Sequence, residues 1–133
     1  MKTTKILLTS LFMLLMSASY AQSVDEMVKE WERAKAYTKE YLDAMPEAGY
    51  ALKPTPEMRS FAEQMLHLTD ANYNIIATAT GEKPAVKDLE KTTTDKSKAN
   101  ITKLTLDGYD FAINSIKKVA GTDLQAQIKL FGR

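Results

Sequence analysis

Three long segments of this sequence repeat apolar side chains at every third or fourth position. That spacing gathers the apolar side chains on one face of an α-helix. The 133-residue chain has only five glycines and four prolines, and they cluster at the apparent ends of these segments. We therefore predict an all-α fold, an up-down helical bundle of three long helices joined by loops.

Helix-capping signals set the expected bounds of the three helices. The first should begin at Ser23, where Ser-Val-Asp-Glu forms a capping box, and stop before Pro46. The second should span 56–80, with a proline at its first position. The third should span 96–120. These bounds predict long polar loops between the helices.

The apolar positions predict which face of each helix is buried. In the second helix the expected core face comprises Met58, Phe61, Ala62, Met65, Leu68, Ile75, Ile76 and Ala79. The third helix carries Leu106, Tyr109 and Ile113 away from its main stripe, which indicates an apolar face left for another segment or another chain to cover. We predict that this face is exposed and leads to a homodimer or to marginal stability. Gly108 within this helix either weakens it or marks a close helix contact.

The first 21 residues have the pattern of a secretory signal peptide. Lys2 and Lys5 precede an apolar run over 6–16, and small residues then lead to a cleavage site after Ala21. A run of about 11 residues is too short to span a bilayer, which takes about 20. We predict a periplasmic or secreted protein, free of the membrane after cleavage, whose single domain is 22–133.

Composition excludes several classes of function. With no cysteine, the chain can form no disulfide, cysteine-ligated metal centre or cysteine nucleophile. With one histidine, His67, it cannot supply a three-histidine metal site alone. A net charge of +1 argues against a nucleic-acid partner.

The single histidine lies on the polar side of the second predicted helix. With Met65 set at 0° on a helical wheel, His67 falls near roughly 200°, with Glu63 and Asp70 at roughly 160° and 140°. This arrangement has two interpretations. His67 is either a solvent-exposed residue with polar neighbours, or a metal ligand assisted by Asp70 or Glu63.

The segment 53–72 resembles the second helix of the DinB/YfiT family of four-helix bundles. It reads Lys-Pro-Thr-Pro-Glu-Met-Arg-Ser-Phe-Ala-Glu-Gln-Met-Leu-His-Leu-Thr-Asp-Ala-Asn. The family pattern there is Ser-Phe/Trp-x-Glu leading to a histidine and an apolar residue. Trp31 in the preceding helix, the Gly-Glu-Lys-Pro of 81–84 and the Leu-Phe-Gly of 130–132 fit in order. The resemblance implies a four-helix bundle whose last helix is missing from this chain.

The resemblance also implies a role for His67, as the first of three histidines that hold a divalent metal such as zinc or nickel. The family's other two ligands come from a His-x-x-x-His on the last helix, and this sequence has neither. Three explanations stay open: a truncated or frameshifted gene product, a natural three-helix relative, or completion by a partner chain. The first is preferred, because 130–132 matches the middle of the family pattern.

Two functions follow as expectations. The first is an exported helical bundle protein that lacks a complete active site and is therefore not an enzyme as given. The alternative is a divalent-metal-dependent hydrolase or thiol-transferase-like enzyme. That activity requires the missing helix to come from a longer gene product or a partner chain.

Overall fold

A computed structural model describes residues 23–119 and residue 129. These residues form α1 (Val24–Ala44), a 3₁₀ helix (Glu47–Ala51), α2 (Phe61–Thr80), the one-turn α3 (Leu89–Thr92) and α4 (Lys98–Lys117), with no strand among them. The predicted all-α bundle is therefore confirmed for this part of the chain. The predicted signal peptide, the residues 120–128 and the residues 130–133 lie outside it.

Matching capping boxes begin the first two long helices. At α1, the Ser23 hydroxyl accepts a hydrogen bond from the Glu26 amide, and the Glu26 carboxylate accepts one from the Ser23 amide, as predicted. At α2, Ser60 and Glu63 form the same pair of hydrogen bonds. The expected start of this helix at Pro56 is therefore wrong, because the cap that satisfies the free amides lies four residues later.

The last long helix occupies the middle of the bundle. Helix α4 packs against both α1 and α2, which make few contacts with each other. Tyr109 and Ile113 of α4 are each only 6% exposed, since α1 covers this side. The Tyr109 ring stacks edge-on against Trp31, and its hydroxyl lies 2.8 Å from the Thr38 hydroxyl. The expectation that these two residues form an exposed apolar face is therefore wrong, and the homodimer stays a prediction.

The buried face of α2 is rotated from the predicted one. Leu66 and Thr69 are fully buried, and Tyr73 is almost so. Three members of the predicted core face, Met58, Ile75 and Ala79, are instead exposed. The rotation follows from α4, which packs on the side of α2 that carries Thr69 and Tyr73. Asp70, beside Thr69, is thereby brought to the margin of the core.

A glycine lets α4 approach α2 closely. A Cβ placed on Gly108 would lie 2.8 Å from the Cγ2 of Thr69, well inside van der Waals contact. Of the two interpretations of Gly108, the close helix contact is the one that the structure confirms.

Two clusters of buried side chains form the core. One joins all three long helices to the 3₁₀ helix and α3, and it comprises Leu42, Tyr50, Ala62, Leu66, Tyr73, Leu89 and Ile101. The other joins the long helices at the opposite end, and it comprises Val28, Ile76, Ala112, Ile113 and Ile116. Among the described helices, none combines the length and apolar composition required to cross a bilayer.

Candidate functional site

His67 projects from the outer side of α2, with 47% of its side chain exposed. Its Nδ1 lies 2.9 Å from Oε2 of Glu90, a residue of α3 that is 23 positions away in sequence. The predicted exposed position is confirmed. The partner on α3 was not predicted, because the pairing depends on how the 81–97 segment docks on α2.

Glu90 connects His67 to Arg59, which lies just before α2. Both Glu90 oxygens accept hydrogen bonds from the Arg59 guanidinium, and one also contacts the imidazole of His67. Arg59 above all, with His67 assisting, holds the pKa of the Glu90 carboxyl below its usual range. A carboxylate that faces a guanidinium stays ionised because the charged form gains the stronger hydrogen bonds. We call this set of three residues the His67 cluster.

Asp70 anchors α3 to α2. Its Oδ1 accepts the backbone amide of Leu89 at 2.8 Å, and its Oδ2 accepts that of Glu90 at 2.9 Å. These are amides of the first turn of α3, which have no partner within that helix. The same docking buries Leu89 in the core and places Glu90 beside His67. Asp70 therefore positions the His67 cluster through the backbone.

Glu63 is held by the start of α2 and by two lysines. Its Oε2 accepts the Ser60 amide at 2.9 Å and lies 3.1 Å from the Lys53 ammonium. Its Oε1 accepts a hydrogen bond from Lys96 at 2.8 Å. These contacts, Lys96 foremost, lower the pKa of the Glu63 carboxyl to about 2. Its negative charge thus joins α2 to the segments on either side of it.

The ion pairs of Glu63 predict a pH-dependent stability. The folded pKa of about 2 lies below the usual 4.5, so their contribution is complete above 4.5 and is lost as the pH falls through about 2. Glu63→Gln keeps the cap acceptor but removes both ion pairs. At neutral pH we expect the unfolding free energy of the wild type to exceed that of this variant by only about 1 kcal/mol, because solvent screens part-exposed ion pairs. Near pH 2 the two unfolding free energies should converge.

Urea unfolding of both proteins across this pH range measures the difference. Glu26→Gln is the matched control, because Glu26 occupies the same capping position in α1 without an ion pair to any described lysine. Identical pH profiles for the two variants would contradict the assignment.

The three predicted metal-binding side chains do not converge on one point. His67 contacts Glu90, Asp70 accepts the amides of α3, and Glu63 faces lysines and its own cap. Within residues 23–119 and 129, no group of three or more histidine, cysteine, aspartate or glutamate side chains could hold a metal ion. These residues therefore do not by themselves fit the three-ligand metal site that the resemblance implies, and metal binding stays a prediction.

Arg59 and Glu90 are the members of the cluster that the sequence analysis missed. One sequence feature could have indicated Glu90. The residue before it, Leu89, is a large apolar residue in a polar segment, which is expected where a loop packs on the core and brings its neighbours close to α2. No local pattern marks Arg59, since its partner lies 31 residues further along the chain.

Comparison with known proteins agrees with the all-helical fold. No curated protein and no solved structure matches this chain significantly. A family model described as the DinB superfamily matches residues 30–131, which include all of α2, α3 and α4. A match over most of the chain shows the family. With this match and its all-helical bundle, this chain belongs to the DinB superfamily.

Proposed function

We propose that this protein is an exported, non-catalytic binding module of the DinB superfamily. The observation that carries the proposal is the hydrogen bonding of His67, Asp70 and Glu63. All three side chains contact other parts of the fold, and they share no common point at which a ligand could sit. Export is supported by the signal-peptide pattern of residues 1–21.

The His67 cluster supports a structural role at the family's metal-binding position. The imidazole Nδ1 faces Glu90, which Arg59 already neutralises in part. A metal ligand needs further donors around the same ion, because one histidine binds a divalent cation only weakly. The sequence holds no second histidine, and the one carboxylate beside His67, that of Glu90, is already paired with Arg59.

Metal titration of the purified protein tests this proposal. We expect zinc and nickel to bind weakly, and His67→Ala to change that binding no more than Asn74→Ala, a substitution two turns along the exposed side of α2. His67→Ala should also cost less than about 1 kcal/mol of unfolding free energy, the usual value of an exposed pair. Tight one-to-one binding that is lost only in His67→Ala would overturn the proposal.

A divalent-metal-dependent enzyme is the second candidate, and one observation favours it. Metal-binding histidines commonly donate a hydrogen bond from one ring N–H to a carboxylate, which orients the other ring nitrogen toward the ion. The contact between His67 Nδ1 and Glu90 has this form. Under this proposal a partner chain completes the site, so zinc or nickel should promote dimerisation. Sedimentation with and without metal distinguishes the two functions, since the non-catalytic module predicts no effect of metal on mass.

A further inference from the structure

A cavity of about 810 Å³ lies at one end of the bundle, between the end of α1 and the start of α2. The 3₁₀ helix and the turn over 52–60 form the rest of its wall. Its apolar lining comes mainly from Met45, Leu52, Pro54, Met58 and Phe61. This volume falls within the range of about 300–1,000 Å³ that is typical of small-molecule sites.

The cavity gathers apolar side chains that the core leaves exposed. Leu52 is 64% exposed and Met58 is 52% exposed, yet both line this one concave surface. Clustered apolar exposure of this kind marks binding sites, because it is costly in water unless a partner covers it. Methionine also adapts its shape to different ligands.

The wall behind these side chains is rigid. Tyr50 of the 3₁₀ helix is 2% exposed, and its hydroxyl donates to the Leu42 carbonyl at 2.9 Å. The Tyr50 ring packs edge-on against Phe61, with ring centres 4.9 Å apart. A site on a preformed wall binds without the entropic cost of ordering it.

The charges at the rim favour a cation. Arg59 is already paired with Glu90, whose charge offsets that of the guanidinium and weakens its attraction for an anionic ligand. Glu57 also lines the cavity and forms no ion pair with any described residue. Hydrogen bonds from its own backbone amide and from Thr55 lower the pKa of its carboxyl, which keeps it ionised at neutral pH. A cationic group can therefore pair with Glu57 without displacing a positively charged side chain of the described residues.

We infer that this cavity binds a small amphiphile with an apolar body and an amine head. The apolar body packs against Leu52, Met58 and Phe61, and the amine lies beside Glu57. This inference rests on the proposed binding role. Its test differs from the metal titration, which reports only on His67, so each can fail while the other succeeds.

Three probes that share one phenylbutyl body test the charge preference: 4-phenylbutylamine, 4-phenylbutanol and 5-phenylpentanoate. Binding to the purified protein is measured by calorimetric titration and by NMR chemical shifts. We expect the amine to bind about fivefold tighter than the alcohol, the size of an exposed ion pair, and the carboxylate to bind most weakly. Equal binding of all three, tightest binding of the carboxylate, or no saturable binding of any probe would overturn the inference.

Three substitutions locate the site. Leu52→Ala and Met58→Ala should each weaken all three probes by about fivefold, because each removes apolar contact area. Glu57→Gln should abolish the preference for the amine and leave the alcohol unchanged. Ile75→Ala is the control, since Ile75 is an exposed apolar residue of α2 outside the cavity lining. An effect of Ile75→Ala as large as that of Leu52→Ala would place the binding elsewhere.

Discussion

Replacing Asp70 with alanine is expected to lower the free energy of unfolding by about 2–4 kcal/mol. The carboxylate accepts two backbone amides of α3, and a hydrogen bond to a charged group contributes about 1.5–3 kcal/mol. In the variant those amides lose their partners, and Leu89 loses the contact that holds it in the core. Asp70→Asn retains one acceptor oxygen, so its unfolding free energy should lie between those of the wild type and Asp70→Ala.

Urea unfolding, followed by circular dichroism, measures the loss of unfolding free energy, and hydrogen exchange shows which backbone amides lose protection. The amides of Leu89 and Glu90 should lose protection in Asp70→Ala while those of α4 keep it. Asp107→Ala is the control, because Asp107 forms only a surface pair with Lys103 and should change stability by less than about 0.5 kcal/mol. A stability loss in Asp70→Ala no larger than that of the control would contradict the anchoring role.

The second large effect is expected at the contact between α2 and α4. Gly108→Ala should lower the unfolding free energy by about 1–2 kcal/mol, although alanine favours a helix over glycine by about 1 kcal/mol. The new methyl group would lie 2.8 Å from the Cγ2 of Thr69, which is fully buried. The Thr69 hydroxyl donates to the Met65 carbonyl at 2.8 Å, so the side chain cannot rotate away without losing that bond.

Thr69→Ser separates the clash from other effects, because serine keeps the hydroxyl and removes the methyl group. We expect the double variant Gly108→Ala, Thr69→Ser to be more stable than the two single losses predict, by about 1 kcal/mol. Thermal or urea unfolding of the four proteins completes the cycle. Additive losses would show that the two side chains do not collide, and a stabilised Gly108→Ala would show that only helix propensity matters there.

The start of α2 illustrates how far local signals reach. The sequence carries two start signals five residues apart, a threonine before Pro56 and the Ser60–Glu63 capping box. Each satisfies the rules for a helix N-terminus, so the local pattern cannot choose between them. The structure uses the second, in which two backbone and side-chain hydrogen bonds close reciprocally and the 52–59 segment is left to form the cavity wall.

The candidate site also combines features that the local sequence pattern predicts with features that it does not predict. The wheel placed His67 on the outer side of α2, and its exposure confirms that position. The wheel also grouped it with Asp70 and Glu63 as a set of ligands, whereas His67 contacts the Glu90 side chain, Asp70 accepts backbone amides of α3 and Glu63 faces lysines. Those partners lie between 3 and 33 residues away in the chain, and the distant ones arrive only because the 81–97 segment folds back along α2.

The amino-acid sequence alone therefore specifies the three long helices, the first cap and the side of α2 on which His67 lies, but not the 3₁₀ helix or α3, which it predicts as loops. These features depend on interactions within about four residues, whose geometry the backbone repeats at every turn. Tertiary structure decides the central position of α4, the burial of Tyr109 and Ile113, the partners of the charged residues and the cavity beside α2. Those depend on which helix faces meet, and spacing along a single helix carries no information about its neighbour.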